Sequence, residues 1–154
     1  MPLAEFNIGT LRYDWDDPRV AEFKDNLDRV FALAERSPGY IWHMNGDEME
    51  AAQLDARGPL GGDPRTASTL SVWADLAALE HFVWKTVHKR FYDRRAEWYG
   101  PEQGLRLVMW TVADGHLPDI EEAVERLRWL DAHGDSDHAF GWDYARAAGT
   151  ARRA

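Results

Sequence analysis

Trp84, His88, Arg95 and Tyr99 follow one another at spacings of four, seven and four residues. On an α-helix, which turns about 100° per residue, such a set stays within about 60° on one flank. The flank then carries an indole, an imidazole, a guanidinium and a phenol. His88 supplies an acid–base group, because the unperturbed imidazole titrates near ~6.5, and its neutral ring can also ligate iron. Arg95 can hold a carboxylate or an enolate through its planar fork of donors. The same residues also suit a solvated helix shoulder, with Trp84 at an interface and His88 merely hydrogen-bonded. Beside this flank, Leu76, Val83, Val87, Phe91, Arg94 and Trp98 form the stripe expected to face a core.

The other histidines are read with less weight. His116, in Gly115-His116-Leu117-Pro118-Asp119, either enters a site or bonds the backbone at a helix entry. His43 alternates with Trp42 on a β-prone run, so the two point to opposite faces and only one can line a given pocket. His81 is assigned no role. His133, Asp135, Asp137 and His138 have metal-capable side chains, but they fall after a helix without a fixed scaffold, and no metal is expected there. Asp14, Asp16 and Asp17 read as a turn and a helix cap. Trp129 lies opposite the apolar stripe of its helix and reads as an interface residue. The chain has no cysteine, which removes disulfides, thiolate ligands and cysteine nucleophiles together. No GxGxxG, GxxxxGK[ST], GxSxG or HExxH string is present.

These residues must be positioned by regular elements. Residues 3–13 alternate as a strand, with Gly9 as a candidate bulge. Asp17-Pro18 starts a helix whose stripe runs through Val20, Phe23, Leu27, Val30, Phe31 and Ala34, and Ser37-Pro38-Gly39 stops it. Residues 40–44 and 66–73 form the second and third strands, joined by a loop over residues 45–65. Asp75 caps a second helix that runs to Tyr99, ended by Pro101 and Gly104. Residues 105–112 form a fourth, central strand, and a last helix runs from Asp119, with Glu122 completing a capping box, to Gly134.

The order is β-α-β-β-α-β with an extra C-terminal helix, an α+β, ferredoxin-like pattern with an antiparallel sheet. One domain over residues 1–144 and a disordered tail over 145–154 are expected. Two helices cover one sheet face, and the bare second face calls for a homodimer packed sheet to sheet, with Trp42, Trp73 and Trp110 filling the shared barrel. A formal charge of -9, from 18 basic and 27 acidic residues, opposes the phosphate neutralisation on which nucleic-acid binding depends. Neither a secretory signal pattern nor a membrane span is seen, so a soluble cytoplasmic protein is expected.

Ser71-Val72-Trp73 followed by Asp75, Leu79, Phe82 and His88 resembles the strand-into-helix signature of the antibiotic-biosynthesis-monooxygenase-like superfamily of dimeric α+β barrels. Phe82-Val83, Arg94-Arg95 with Glu97-Trp98, and Val108-Met109-Trp110 leading to Gly115-His116-Leu117-Pro118 resemble an uncharacterised bacterial domain-of-unknown-function family within it. The likeness extends from Glu5-Phe6-Asn7 to Ala139-Phe140. It implies a small-molecule enzyme of natural product biosynthesis acting on an aromatic or polyunsaturated metabolite without a cofactor, by oxygenation or by cyclisation, dehydration or isomerisation. His88 and Arg95 are its expected catalytic residues, and Trp42, Trp73, Trp84, Tyr99, Trp110 and His116 its expected ligand-binding residues. Haem with His88 as axial ligand, and a non-catalytic metabolite-binding module, are the alternatives.

Overall fold

The structure is a computed structural model that describes residues 1–100 and 105–153. Strands β1 (Leu3–Thr10), β2 (Tyr40–His43), β3 (Thr66–Trp73) and β4 (Arg106–Thr111) form an antiparallel sheet in the order β2-β3-β1-β4. This is the ferredoxin-like arrangement expected from the element order. Gly9 makes no bulge: it pairs in register with Ala67, and its missing side chain is the space taken by the Tyr99 ring. Asp17 caps a 3-10 turn (Pro18–Val20) that leads into α1 (Ala21–Glu35).

Alternation on the strands sorts the core into two layers. Ala4, Phe6, Leu70, Val72, Val108 and Trp110 face one side. Leu3, Trp73 and Met109 face the other, packed against α1 and α3 (Leu76–Lys85). The first side is not bare, which corrects the expectation behind the sheet-to-sheet pairing. It is covered by Met49 of α2 (Gly46–Leu54) and by Ile120, Ala123, Val124 and Leu127 of α6 (Ile120–His133). Phe6, Val108 and Trp110 are fully buried within the single chain, and no barrel shared with a second sheet is needed to cover them.

Helix α2 replaces the long loop expected over residues 45–65. Asn45 caps it by accepting from Glu48 N–H at 2.9 Å and returning a bond to the Glu48 side chain, a capping box. Gln53 at its end accepts from Ser68 N–H at 3.0 Å, satisfying β3 where the short β2 no longer reaches.

The single helix expected over residues 75–99 is three. Thr86 takes an extended backbone after α3, its hydroxyl donates to Phe82 O and accepts from His88 N–H, and the chain restarts as α4 (His88–Asp93) and then α5 (Arg95–Trp98). The break resets the helical phase, so Arg94, placed in the core stripe, lies outside it on Glu22 and Glu97, and Val87 is exposed. The expected stop at Pro101 and Gly104 lies outside the described residues. Beyond Tyr144 the chain is helical rather than disordered: α7 (Trp142–Arg153) packs through Trp142 on Trp84 and buries Ala145. No helix among the described residues is long and apolar enough to cross a membrane.

Candidate functional site

Between the sheet and the layer of α1 and α3–α5 lies a cavity of about 150 Å³. Its walls are aromatic: Phe23 and Phe31 from α1, Phe82 from α3, Phe91 from α4, and Trp73 and Trp98. Trp73 stacks on Phe82 with ring centroids 5.0 Å apart. An apolar space of this size accommodates a benzene ring in other proteins. The cavity is the place expected for the site, and His88, Arg95, Trp73 and Tyr99 all line it.

His88 donates from Nδ1 to the Val83 carbonyl at 3.2 Å; because a carbonyl only accepts, the hydrogen sits on Nδ1 and Nε2 keeps a lone pair. Burial holds its pKa below the ordinary 6.5. Its ring lies 4.8 Å from Phe82. The Arg95 guanidinium sits 4.2 Å over the Tyr92 ring and donates to Tyr92 O, with no carboxylate partner among the described residues. Tyr99, at the end of α5, is buried, and burial together with the nearby Glu5 charge pushes its hydroxyl above the ordinary 10.

Trp42, Trp84, Trp110 and His116, also expected at the site, lie elsewhere. Trp42 packs with the α2 and α6 layer. Trp110 is sealed in that layer, donating from Nε1 to Glu122 at 3.2 Å, and His116 meets the same carboxylate at 2.9 Å near the surface. Trp84 is turned away by the break at Thr86 and packs edge-on to Tyr92 and against Trp142. Its Nε1 is buried without a partner among the described residues.

His43 stands where Trp42 was expected. A register shift between Tyr40 and Trp42 leaves Ile41 as the extra, exposed residue, so Tyr40 and His43 both turn to the cavity side. They share a hydrogen bond at 2.7 Å, and His43 stacks on Phe31 at 4.7 Å. Burial lowers the His43 pKa and raises that of Tyr40.

The polar floor of the cavity was not foreseen. Glu5, Asn7, Thr69 and Ser71 point into it from β1 and β3. Asn7 Nδ2 donates to Glu5 Oε1 at 2.6 Å and to Thr69 Oγ, while Ser71 Oγ donates to Glu5 Oε2 at 3.1 Å. Glu5 is 5% exposed and has no cationic partner among the described residues. Burial raises its pKa from 4.5 to about 7, against the two hydrogen bonds that favour the anion. The signal was present in the alternation: Leu3, Glu5 and Asn7 share parity on β1, and a carboxylate at a helix-facing position of a central strand departs from an apolar pattern.

The post-helix cluster is spent on structure. His138 accepts at Nδ1 from Arg126 and donates at Nε2 to Glu125, Asp135 accepts from Gly141 N–H, and Asp137 from Tyr144. No group of three or more metal-capable side chains comes together among the described residues. Haem does not fit the cavity. His88 Nε2 has the right donor chemistry, but a tetrapyrrole is several times the size of the ring that about 150 Å³ admits.

The chain matches, over residues 2–154, the model of a family described as a domain of unknown function, DUF3291. No curated protein matches it. Among solved structures it is similar to Rv0793 of Mycobacterium tuberculosis, at 9% identity and a TM-score of 0.53, covering 76% of this chain and 100% of that one. It is also similar to a candidate antibiotic biosynthesis monooxygenase of Bacteroides thetaiotaomicron, at 16% identity and a TM-score of 0.50, covering 77% and 95%. A protein of unknown function from Nitrosomonas europaea, NE2512, gives the same identity, score and coverage. At these identities the likeness concerns the fold.

Proposed function

The chain belongs to the DUF3291 family and has the antibiotic-biosynthesis-monooxygenase-like fold, and we propose that its cavity converts a small aromatic or polyunsaturated metabolite by proton transfer. The observation that carries this reading is the convergence of His88, Arg95 and the buried Glu5 on one aromatic-walled cavity of about 150 Å³. An apolar pocket with a few convergent polar groups and shifted titrations is the ordinary form of a small-molecule site.

In this reading the His88 Nε2 lone pair takes a proton from the substrate, and its Nδ1–H, bonded to Val83 O, holds the ring in place. Burial keeps the imidazole neutral at neutral pH, as a base requires. Arg95, without a carboxylate among the described residues, is available to an enolate or phenolate oxygen. The aromatic walls hold the ring. The deprotonated substrate then either reacts directly with dioxygen, where it is sufficiently electron-rich, or rearranges, cyclises or loses water. The size of the space favours a substrate whose enclosed part is one ring, with any further portion directed to the mouth near Arg95, which is exposed.

The test is turnover of a panel of phenols and enolisable aromatic ketones, with and without dioxygen, by wild type, His88→Gln and Arg95→Met. Loss of turnover by about 10²-fold or more in His88→Gln supports the reading. Binding without turnover by the wild type would contradict it and leave a metabolite-binding module.

A further inference from the structure

This inference rests on the cavity being a ligand site and concerns what the ligand must carry. We propose that Glu5 is the cavity's acceptor for a ligand hydrogen, so that the site selects ring-bearing molecules presenting a neutral O–H or N–H donor at their buried end.

The direction of every hydrogen bond on the floor is fixed by chemistry. The Trp73 indole Nε1–H can only donate, and it donates to Ser71 Oγ at 3.0 Å. Ser71 therefore spends its one hydrogen on Glu5 Oε2. The Asn7 amide has two hydrogens, and they go to Glu5 Oε1 and Thr69 Oγ. Each Glu5 oxygen thus receives one donor, whereas an ionised carboxyl offers about four lone-pair sites. The remaining acceptor capacity belongs to a side chain that lines the cavity.

A buried acid held only by neutral donors is costly to keep, and an apolar or amide side chain would pack the same place more cheaply. A ligand donor supplies what the floor lacks. Arg95 on the same cavity disfavours a cationic ligand, which leaves a neutral donor. The other titratable groups on the lining are Tyr99, whose titration responds to the Glu5 charge, His88 and Tyr92 from α4, and Tyr40 and His43 from β2. With its titration set by burial near 7, Glu5 changes between a strong and a weak acceptor across neutral pH.

Calorimetric titration with 4-methylphenol and 4-methylanisole tests this, because the two rings differ only in whether they carry an O–H. Above neutral pH the wild type is expected to prefer the phenol by about 10-fold or more, and Glu5→Gln to lose most of that preference while still binding the ether. Equal binding of both by the wild type overturns the role of Glu5 and leaves the cavity reading standing. Binding of neither overturns both. Should Glu5→Gln not fold, the wild type alone decides. Its preference must weaken as pH falls through the Glu5 midpoint, and a preference independent of pH overturns the proposal.

Discussion

Trp73 and Glu5 stand on neighbouring strands and are joined through one hydroxyl: the indole donates to Ser71 Oγ, and Ser71 donates on to the Glu5 carboxylate. The largest aromatic wall of the cavity and its one buried acid are therefore held by a single directed chain. Moving either side chain disturbs the other.

Glu5 makes folding less favourable as the pH rises. Its carboxyl titrates near 7 in the folded protein against an ordinary 4.5, so between these values the unfolded chain has lost a proton that the folded chain keeps. Stability from this group is full below about 4.5 and declines until about 7, by an amount on the order of 3 kcal/mol at most. Asp17, Glu22 and Glu97 are held below their ordinary values and act in the opposite sense, so the difference between two proteins isolates Glu5. Denaturant melts of wild type and Glu5→Gln across this window should show Glu5→Gln gaining on the wild type as pH rises.

His88 works in the other direction. Its folded pKa lies below 6.5, so stability from this group is present above 6.5 and is lost as pH falls through the folded value. An NMR titration of the ring should give a midpoint below that of a histidine in an unfolded peptide, with the Nδ1–H tautomer above it. A midpoint above 6.5 would contradict the buried neutral base.

Gly9→Ala places a methyl against the Tyr99 ring. The strand accepts alanine, so the cost comes from displacing the ring, roughly 1–3 kcal/mol. Because Tyr99 lines the cavity, affinity for an aromatic probe should change together with the melting midpoint. A silent substitution would contradict the packing.

Trp110→Phe and Trp73→Phe separate the two core layers. Both remove a buried indole and should destabilise by roughly 0.5–3 kcal/mol. Only Trp73→Phe should alter probe binding, since Trp110 lies across the sheet against α6. Calorimetry with the probe set distinguishes them.

Much of the scaffold is legible in the sequence because its signals are local. Residues 66–73 alternate under β-prone side chains and become β3, and Asp119 with Glu122 marks the start of α6. The errors arose where one residue alters the phase of everything after it. Thr86 ends α3 by trading backbone bonds for its hydroxyl, which takes Trp84 away from His88. The extra residue Ile41 brings His43 in and leaves Trp42 out. The covering of the second sheet face could not be read from β1 or β4 at all. It depends on where α2 and α6 dock, a relationship between segments distant in the chain. Glu5 was legible in principle, since its parity on β1 matches that of Leu3, whose side chain faces the helices.

The central claim is that the cavity between the sheet and α3–α5 holds a small ring. The most direct measurement is an amide and indole NMR titration of the labelled protein with 4-methylphenol. The account predicts saturable shifts gathered on Glu5, Asn7, Ser71, the Trp73 indole and His88, with Trp110 unmoved. Shifts gathered instead on α2 and α6, or none at saturating probe, would contradict it.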